Sequence, residues 1–306
     1  MAGPVAEVGA IVPVGAPAPW LGEALEAVLA QPTAPVAVVV VDDASPDPVR
    51  LDASHATRCT LVCRDRPGGA PAARDTALAQ LNTEWLALAD ADDVWRPDRL
   101  TAQLEALADR PDAALCFGSA RIVDGDGRPT GERWERVPPG LTEPTALAAL
   151  IYEMNLIPTS SVLVRRDAVV SAGGFQGPPP CEDQDLWLRL LGRGAGFLAL
   201  ARELVDYRRH RAQLSADIAA LAEGSRAVHT AHAGLVPEPL ARRMQAQDLV
   251  LLARGRVRQR RYADARAALA EAADAQPLHP RERVLGALLG VPGLRAALGR
   301  RAPYRN

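Results

Sequence analysis

Carboxylates gather in three places along this 306-residue chain: Asp42 with Asp43, then Asp90, Asp92 and Asp93, then Glu182, Asp183 and Asp185. The middle group, D-A-D-D, directly follows the apolar residues 85–89. Clustered carboxylates repel one another and are costly to desolvate, so three of them at the end of a buried strand call for a compensating cation. Carboxylate oxygens are hard donors, which favours Mg²⁺ or Mn²⁺, and Mg²⁺ commonly takes one or two carboxylates and completes its shell with phosphate oxygens. A bare D-x-D is short and common, and taken by itself it is better explained as a solvated loop ahead of the helix at Pro97. The third group opens a helical stretch, where acids are favoured by the helix dipole.

The spacing predicts the elements that would carry these groups. Residues 8–12 form an apolar run ending at Pro13, and residues 20–29 place Leu21, Leu25, Val28 and Leu29 at helical intervals. Residues 36–41 are almost pure valine and end at Asp42; a run without alternation suits a strand covered on both faces. The pattern repeats as a strand over 60–63, a helix over 70–81, a strand over 85–89, a helix from Pro97 to about residue 107 and a strand over 113–117. This alternation predicts an α/β fold, an open, Rossmann-like, mostly parallel sheet with helices on both faces. Such sheets bind ligands beyond the carboxyl ends of their strands, where the first two acidic clusters fall. Residues 125–144, rich in Gly, Pro and charge, read as loop or irregular hairpin, 159–164 as strand, Gly173 to Phe175 as a turn and 183–191 as a helix. On that helix Trp187 reads first as core and second as a stacking platform for an acceptor.

The length suggests one large domain, 1–215, and a smaller helical region, 216–306. Residues 249–275 read as two helices broken near Arg260, Arg261 and Tyr262, like one tetratricopeptide-type hairpin. A single hairpin needs a neighbour to bury its face: the catalytic domain, further helices or a second copy of the chain in a homodimer. The net charge of -2 calls for no nucleic-acid partner. All 35 basic residues are Arg, and 15 of them fall in residues 217–306 against 8 acids, so the acidic part is expected to do metal chemistry and the basic part to meet a partner. Cys59, Cys63, Cys116 and Cys181 lack C-x-x-C spacing and read as reduced, mostly buried thiols. No apolar stretch approaches the roughly 20 residues of a spanning helix, so the expected location is cytoplasmic, at most peripheral to a membrane. Residues 284–298 could touch an anionic membrane surface, but Gly286, Gly290, Pro292 and Gly293 interrupt them and favour packing or dimerisation.

Six blocks stand in one order: V-G-A-I-V-P-V with A-V-V-V-V-D-D-A-S-P-D, then R-P-G-G-A-P-A-A-R-D-T-A-L, W-L-A-L-A-D-A-D-D-V-W-R-P-D-R-L, S-S-V-L-V-R-R with G-G-F-Q, E-D-Q-D-L-W-L-R-L, and Y-R-R-H-R-A-Q-L-S. Together they resemble the family 2 inverting glycosyltransferases of the GT-A fold, over roughly the first 215 residues. The resemblance implies metal-assisted transfer of a sugar from a nucleotide-diphosphate sugar, a UDP-sugar first, to an acceptor. It implies that Pro13 and Val14 line the base pocket, that Asp43 with Asp42 hydrogen-bonds the nucleobase, and that Arg74 lies near the base or diphosphate. Asp90 would meet the ribose or base side, Asp92 and Asp93 the ribose and the metal, and His210 the diphosphate or metal. Asp183, with Glu182 beside it, would be the general base. The acceptor stays open among saccharide, lipid-linked sugar, natural product and peptide.

The chain departs from the resemblance at Gly15-Ala16, where many relatives have Tyr-Asn, and at Asp75, where Asn is frequent. Two other readings compete. One is a degenerate scaffold acting through its helical tail, although Asp92 and Asp183 are both present. The other is a nucleotidyltransferase, which would be expected to carry a basic, Gly-rich phosphate loop where residues 13–19 hold no basic residue.

Overall fold

The valines at positions 38–41 are all buried, none more than 3% exposed, as a strand covered on both faces requires. In the computed structural model they form β2 (Ala37–Asp42), flanked in parallel by β1 (Val8–Val14) and β3 (Thr60–Cys63). At roughly 1.5 to 3 kcal/mol for each fully buried side chain, this run is a major anchor of the sheet. The structure describes residues 6–15, 18–134, 143–210 and 217–290. It divides into two units, Met1–Gly177 with Glu182–Arg211, and Pro178–Cys181 with Ala212–Asn306. The boundary expected at residue 215 lies outside the described residues.

In the first unit, β4 (Trp85–Leu88) joins the free side of β1 in parallel, giving the order β3-β2-β1-β4. Helices α1 (Leu21–Leu29) and α3 (Gly69–Gln80) are crossovers, and α2 (Ala53–Ala56) is a single turn capped by Asp52. Beyond β4 the sheet is mixed, so "mostly parallel" describes only this half. β8 (Leu163–Arg165) runs antiparallel to β4 and to β6 (Ala113–Val123), and β9 (Gly196–Arg208) runs parallel to β6. β5 (Val94–Trp95) pairs antiparallel with β9, and β7 (Pro129–Trp134) pairs with β6 alone. The turn at 124–128 that joins β6 to β7 is too short for anything but an antiparallel pair.

Two local differences follow from backbone chemistry. Residues 159–161 form a 3₁₀ turn, not the start of a strand, closed by the Ser161 hydroxyl donating to the Pro158 carbonyl at 2.7 Å. In β9 the register jumps from Gly118↔Leu200 to Ser119↔Glu203, a bulge of two residues. Gly118 permits it, because a Cβ there would stand 2.6 Å from the Arg202 carbonyl oxygen. The remaining helices are α4 (Arg99–Ala108), α5 (Pro144–Glu153), α6 (Arg166–Ser171) and α7 (Glu182–Gly192). On α7, Trp187 is fully buried, which makes it core and removes it as a stacking platform.

The second unit is helical: α8 (Ile218–Ala231), α9 (Glu238–Arg258), α10 (Tyr262–Ala275) and α11 (Pro280–Leu289). The α9–α10 break falls at Arg260, in the left-handed region at φ 60°. Leu249, Val250 and Ala253 of α9 pack on Ala265, Ala268, Leu269 and Ala272 of α10. Between α8 and α9, buried His229 meets Asp248 at 2.6 Å, and the Ser225 hydroxyl donates to the other Asp248 oxygen at 2.7 Å. Of residues 284–298, those from 291 onward are outside the described residues. No helix among the described residues is long and apolar enough to cross a membrane. Of the cysteines only Cys116 and Cys181 are buried; Cys59 is half-buried and Cys63 exposed.

Candidate active site

β1, β2 and β4 all end at the same edge of the sheet. Val14 pairs in register with Asp42, and its carbonyl accepts the Asp43 N–H at 3.0 Å. The buried Asp42 carboxylate accepts the Ser45 and Val49 N–H groups, each at 3.0 Å, so it shapes its own loop. Asp43 accepts the Gly68 and Gly69 N–H groups at 3.0 and 2.6 Å and pairs with Arg64 at 2.7 Å, which ties β2 to the start of α3. Pro13 and Val14 therefore sit beside a carboxylate already engaged by backbone.

Arg74 of α3 joins two of the acidic groups. Its guanidinium donates to Asp90 Oδ1 and to Glu182 Oε1, both at 2.8 Å, with the Arg74 and Glu182 side chains only 5% and 6% exposed. Burial works against its charge, but Asp90, Glu182 and Asp183 hold it firmly protonated. Burial also raises the Glu182 carboxyl, in spite of Arg74. Asp75, the departure beside Arg74, accepts the Phe175 N–H at 2.7 Å and braces the Gly173-Gly174 turn.

The D-A-D-D segment splits by function of each oxygen. Asp93 is buried, with Oδ2 accepting the Ser160 hydroxyl at 2.6 Å and Oδ1 the Arg208 N–H at 3.0 Å. Asp92 is a third exposed, and its Oδ2 lies 2.8 Å from His210 Nε2. The His210 ring rests on Trp20, centroids 4.6 Å apart. Burial and then the neighbouring Asp90 raise the Asp92 carboxyl, against His210, and burial with Asp92 and Asp90 raises Asp93 well above the carboxylate range. Burial contributes most to both shifts, and the repulsion between neighbouring carboxylates comes second.

Asp183 begins α7 one residue into the helix. Its Oδ2 accepts Asn155 Nδ2 at 2.8 Å and the Thr159 hydroxyl at 2.6 Å, and its Oδ1 accepts the Gln184 N–H at 2.7 Å. Burial raises its pKa, opposed by Thr159, Arg74, Gln184 and Asn155. Since Thr159 holds Asp183 and Ser160 holds Asp93, a single 3₁₀ turn couples the acids of β4 and α7. The structure thus brings together Arg74, Asp90, Asp92, Asp93, Glu182, Asp183 and His210 through direct contacts or one intervening residue.

Sequence reading missed Asn155, Thr159, Ser160, Trp20 and Arg208. Arg208, almost wholly buried, gives Nε to the Asp92 carbonyl at 2.9 Å and Nη2 to Glu23 at 2.6 Å, fixing the loop under Asp92. The available signal was Ser160 at the head of the apolar block S-S-V-L-V and Arg208 within the charged block Y-R-R-H; Asn155, Thr159 and Trp20 carried none. Among the described residues no group of three or more His, Cys, Asp and Glu could hold a metal ion alone. Asp92 and His210, joined to each other at 2.8 Å, would have to exchange that contact for a cation completed by substrate phosphate oxygens, and both oxygens of Asp93 accept hydrogen bonds, from Ser160 and Arg208.

The sequence pattern of glycosyl transferase family 2 matches residues 10–171. The chain belongs to that family. A succinoglycan biosynthesis protein, ExoO of Rhizobium meliloti, is 38% identical to it over 107 residues, 34% of this chain and 30% of that protein. The chain's matches to the first curated relatives span from 30% to 66% of those proteins' length. Among solved structures, the S. aureus TarS 1-349 complex with UDP-GlcNAc aligns at TM-score 0.60 and 16% identity, covering 96% of this chain and 88% of that one. The Pyrobaculum calidifontis mannosyltransferase PcManGT, in complex with GDP-Man and Mn²⁺, aligns at 0.57 and 18% identity, covering 96% and 87%. These likenesses show the GT-A fold of this family 2 chain; Asp183 and His210 lie beyond the matched family segment.

Proposed function

We propose that this chain transfers a sugar, with inversion, from a UDP-sugar to an acceptor hydroxyl, with Asp183 as general base. The observation that carries the reading is Asp183 itself: a carboxylate raised by burial, oriented by Asn155 and Thr159, and joined through Ser160 to the acids of β4. A base with its pKa raised toward neutrality takes a proton more effectively than an ordinary carboxylate. Asp183 accepts the acceptor's proton while that oxygen bonds to the anomeric carbon and the carbon–oxygen bond to the diphosphate breaks on the opposite face. Asp183 leaves the step protonated and the nucleoside diphosphate departs as the anion.

Asp92 and His210 would hold a divalent cation, Mn²⁺ or Mg²⁺. Such a cation, when bound, neutralises charge on the leaving diphosphate. Arg74 keeps Asp90 and Glu182 in place, Asp93 and Arg208 brace the loop from behind, and Val14 and Asp43 border the nucleotide. The nucleotide sugars and Mn²⁺ named for the structural neighbours support this reading, as does family membership. The test compares UDP affinity with turnover in Asp183→Asn. Retained affinity with turnover reduced at least 100-fold is expected; turnover within tenfold of wild type moves the base elsewhere.

A further inference from the structure

Trp134 ends β7 opposite Ala120 of β6. On the other edge of β6, Val205 pairs with Ala120 and Tyr207 with Ile122. Alternate residues of a strand share a face, so Trp134, Ala120, Ile122, Val205 and Tyr207 lie on one face of the sheet. The small side chain of Ala120 leaves room above it, where the Trp134 and Tyr207 rings meet edge to face, centroids 5.1 Å apart and 75° between planes. Ala120 is fully buried, while both rings are half-buried.

Their place along β6 gives the pair a role. Two residues before Ala120, the Gly118 N–H donates to Ser161 Oγ at 3.4 Å, so the 3₁₀ turn and β7 follow one another along β6. That turn supplies the Thr159 hydroxyl on Asp183 and the Ser160 hydroxyl on Asp93. Arg208, next to Tyr207, donates its N–H to Asp93. The rings therefore border the acids from the β6 side, whereas β1 and β2, with Val14 and Asp43, lie on the far side of β4 in the strand order. Burial, and then the charges of Asp93, Asp90, Asp92 and Asp183, raise the Tyr207 hydroxyl above its ordinary range.

We propose that Trp134 and Tyr207 form the acceptor subsite, a stacking platform for the C–H face of a neutral pyranose ring whose hydroxyl meets Asp183. The proposal rests on the transferase reading above. An aromatic face carries partial negative charge and packs against polarised sugar C–H bonds, while the surrounding carboxylates accept hydroxyl protons and repel anionic acceptors.

Saturation-transfer NMR on the full chain with UDP and Mn²⁺ tests it, using methyl α-glucoside, methyl α-mannoside and methyl β-galactoside as probes and p-nitrophenol as the aromatic alternative. In the wild type, at least one glycoside should bind saturably with transfer concentrated on one ring face. Trp134→Leu should weaken that binding at least tenfold and Trp134→Phe should recover it to within about threefold, with UDP affinity as the check on folding. Should Trp134→Leu lose its fold, the face-selective transfer in the wild type decides alone. No saturable glycoside binding, transfer spread evenly over the ring, undiminished binding by a folded Trp134→Leu, or binding of p-nitrophenol alone each overturns the proposal. The transferase reading is judged separately, by nucleoside diphosphate release.

Discussion

Replacing Arg74 with Met leaves Glu182 as a buried carboxylate without its cation. The Arg74 and Glu182 side chains are 5% and 6% exposed, and removing one partner of so buried a pair costs on the order of 3 to 5 kcal/mol. The Asp90 arm is 28% exposed, so solvent screens it and its loss adds little. About 3 kcal/mol is therefore expected near pH 8. The cost depends on pH with a definite sign. Burial already holds the Glu182 carboxyl above its ordinary 4.5, and loss of Arg74 raises it further. A carboxyl raised in the folded state keeps a proton that the unfolded chain has released, so its stabilisation is complete below the unfolded value and is lost as pH rises through the folded one. The gap between wild type and Arg74→Met should thus widen as pH rises above the ordinary 4.5, by at most about 1.4 kcal/mol per pH unit, and level off once Glu182 of the variant is ionised. All five tryptophans precede residue 188, so urea unfolding followed by their fluorescence reports the unit that holds the pair. Arg74→Met/Glu182→Gln should regain more than half of the loss. A gap below about 1 kcal/mol at pH 8, or one that fails to widen above pH 4.5, would refute the reasoning.

Other outcomes follow from the same contacts. Because burial raises Asp183, the acid limb of the pH–kcat profile should fall at a pH above the usual carboxylate range, activity being lost as pH drops through it; a limb at or below pH 3.8 speaks against Asp183 as the base. Asp92→Asn and His210→Ala should each weaken Mn²⁺ binding about 10- to 100-fold by electron paramagnetic resonance titration, while Asp93→Asn should weaken it less and chiefly lower stability. Asp248→Ala strands His229 and Ser225 between α8 and α9; a cost of about 3 kcal/mol should appear as lost hydrogen-exchange protection across residues 218–258, and unchanged protection would make that cluster dispensable.

The parallel half of the fold was legible because its residues obey simple periodicities. The unbroken valines of β2 and the Leu21, Leu25, Val28, Leu29 stripe of α1 each admit one reading. β9 was not legible: its two-residue bulge at 201–202 breaks the alternation that a strand of 13 residues would otherwise show. The Thr159–Ser161 turn hid within an apolar block because its hydroxyls look like strand residues until their partners, Asp183 and Asp93, come from distant elements. The acidic residues themselves stood out by clustering, yet their division of labour did not. Asp92 and Asp93 are neighbours in sequence but differ in surroundings, since Asp92 is a third exposed and faces His210 while buried Asp93 is held by Ser160 and Arg208.

Nucleoside diphosphate release from a panel of UDP-, GDP- and dTDP-sugars, with Mn²⁺ and with EDTA, tests most directly whether Asp92, His210 and Asp183 form a transferase centre. The expected result is Mn²⁺-dependent turnover of a UDP-sugar, stopped by EDTA and by Asp183→Asn. Turnover that continues in EDTA, or the absence of release from every sugar nucleotide in the panel, would contradict it.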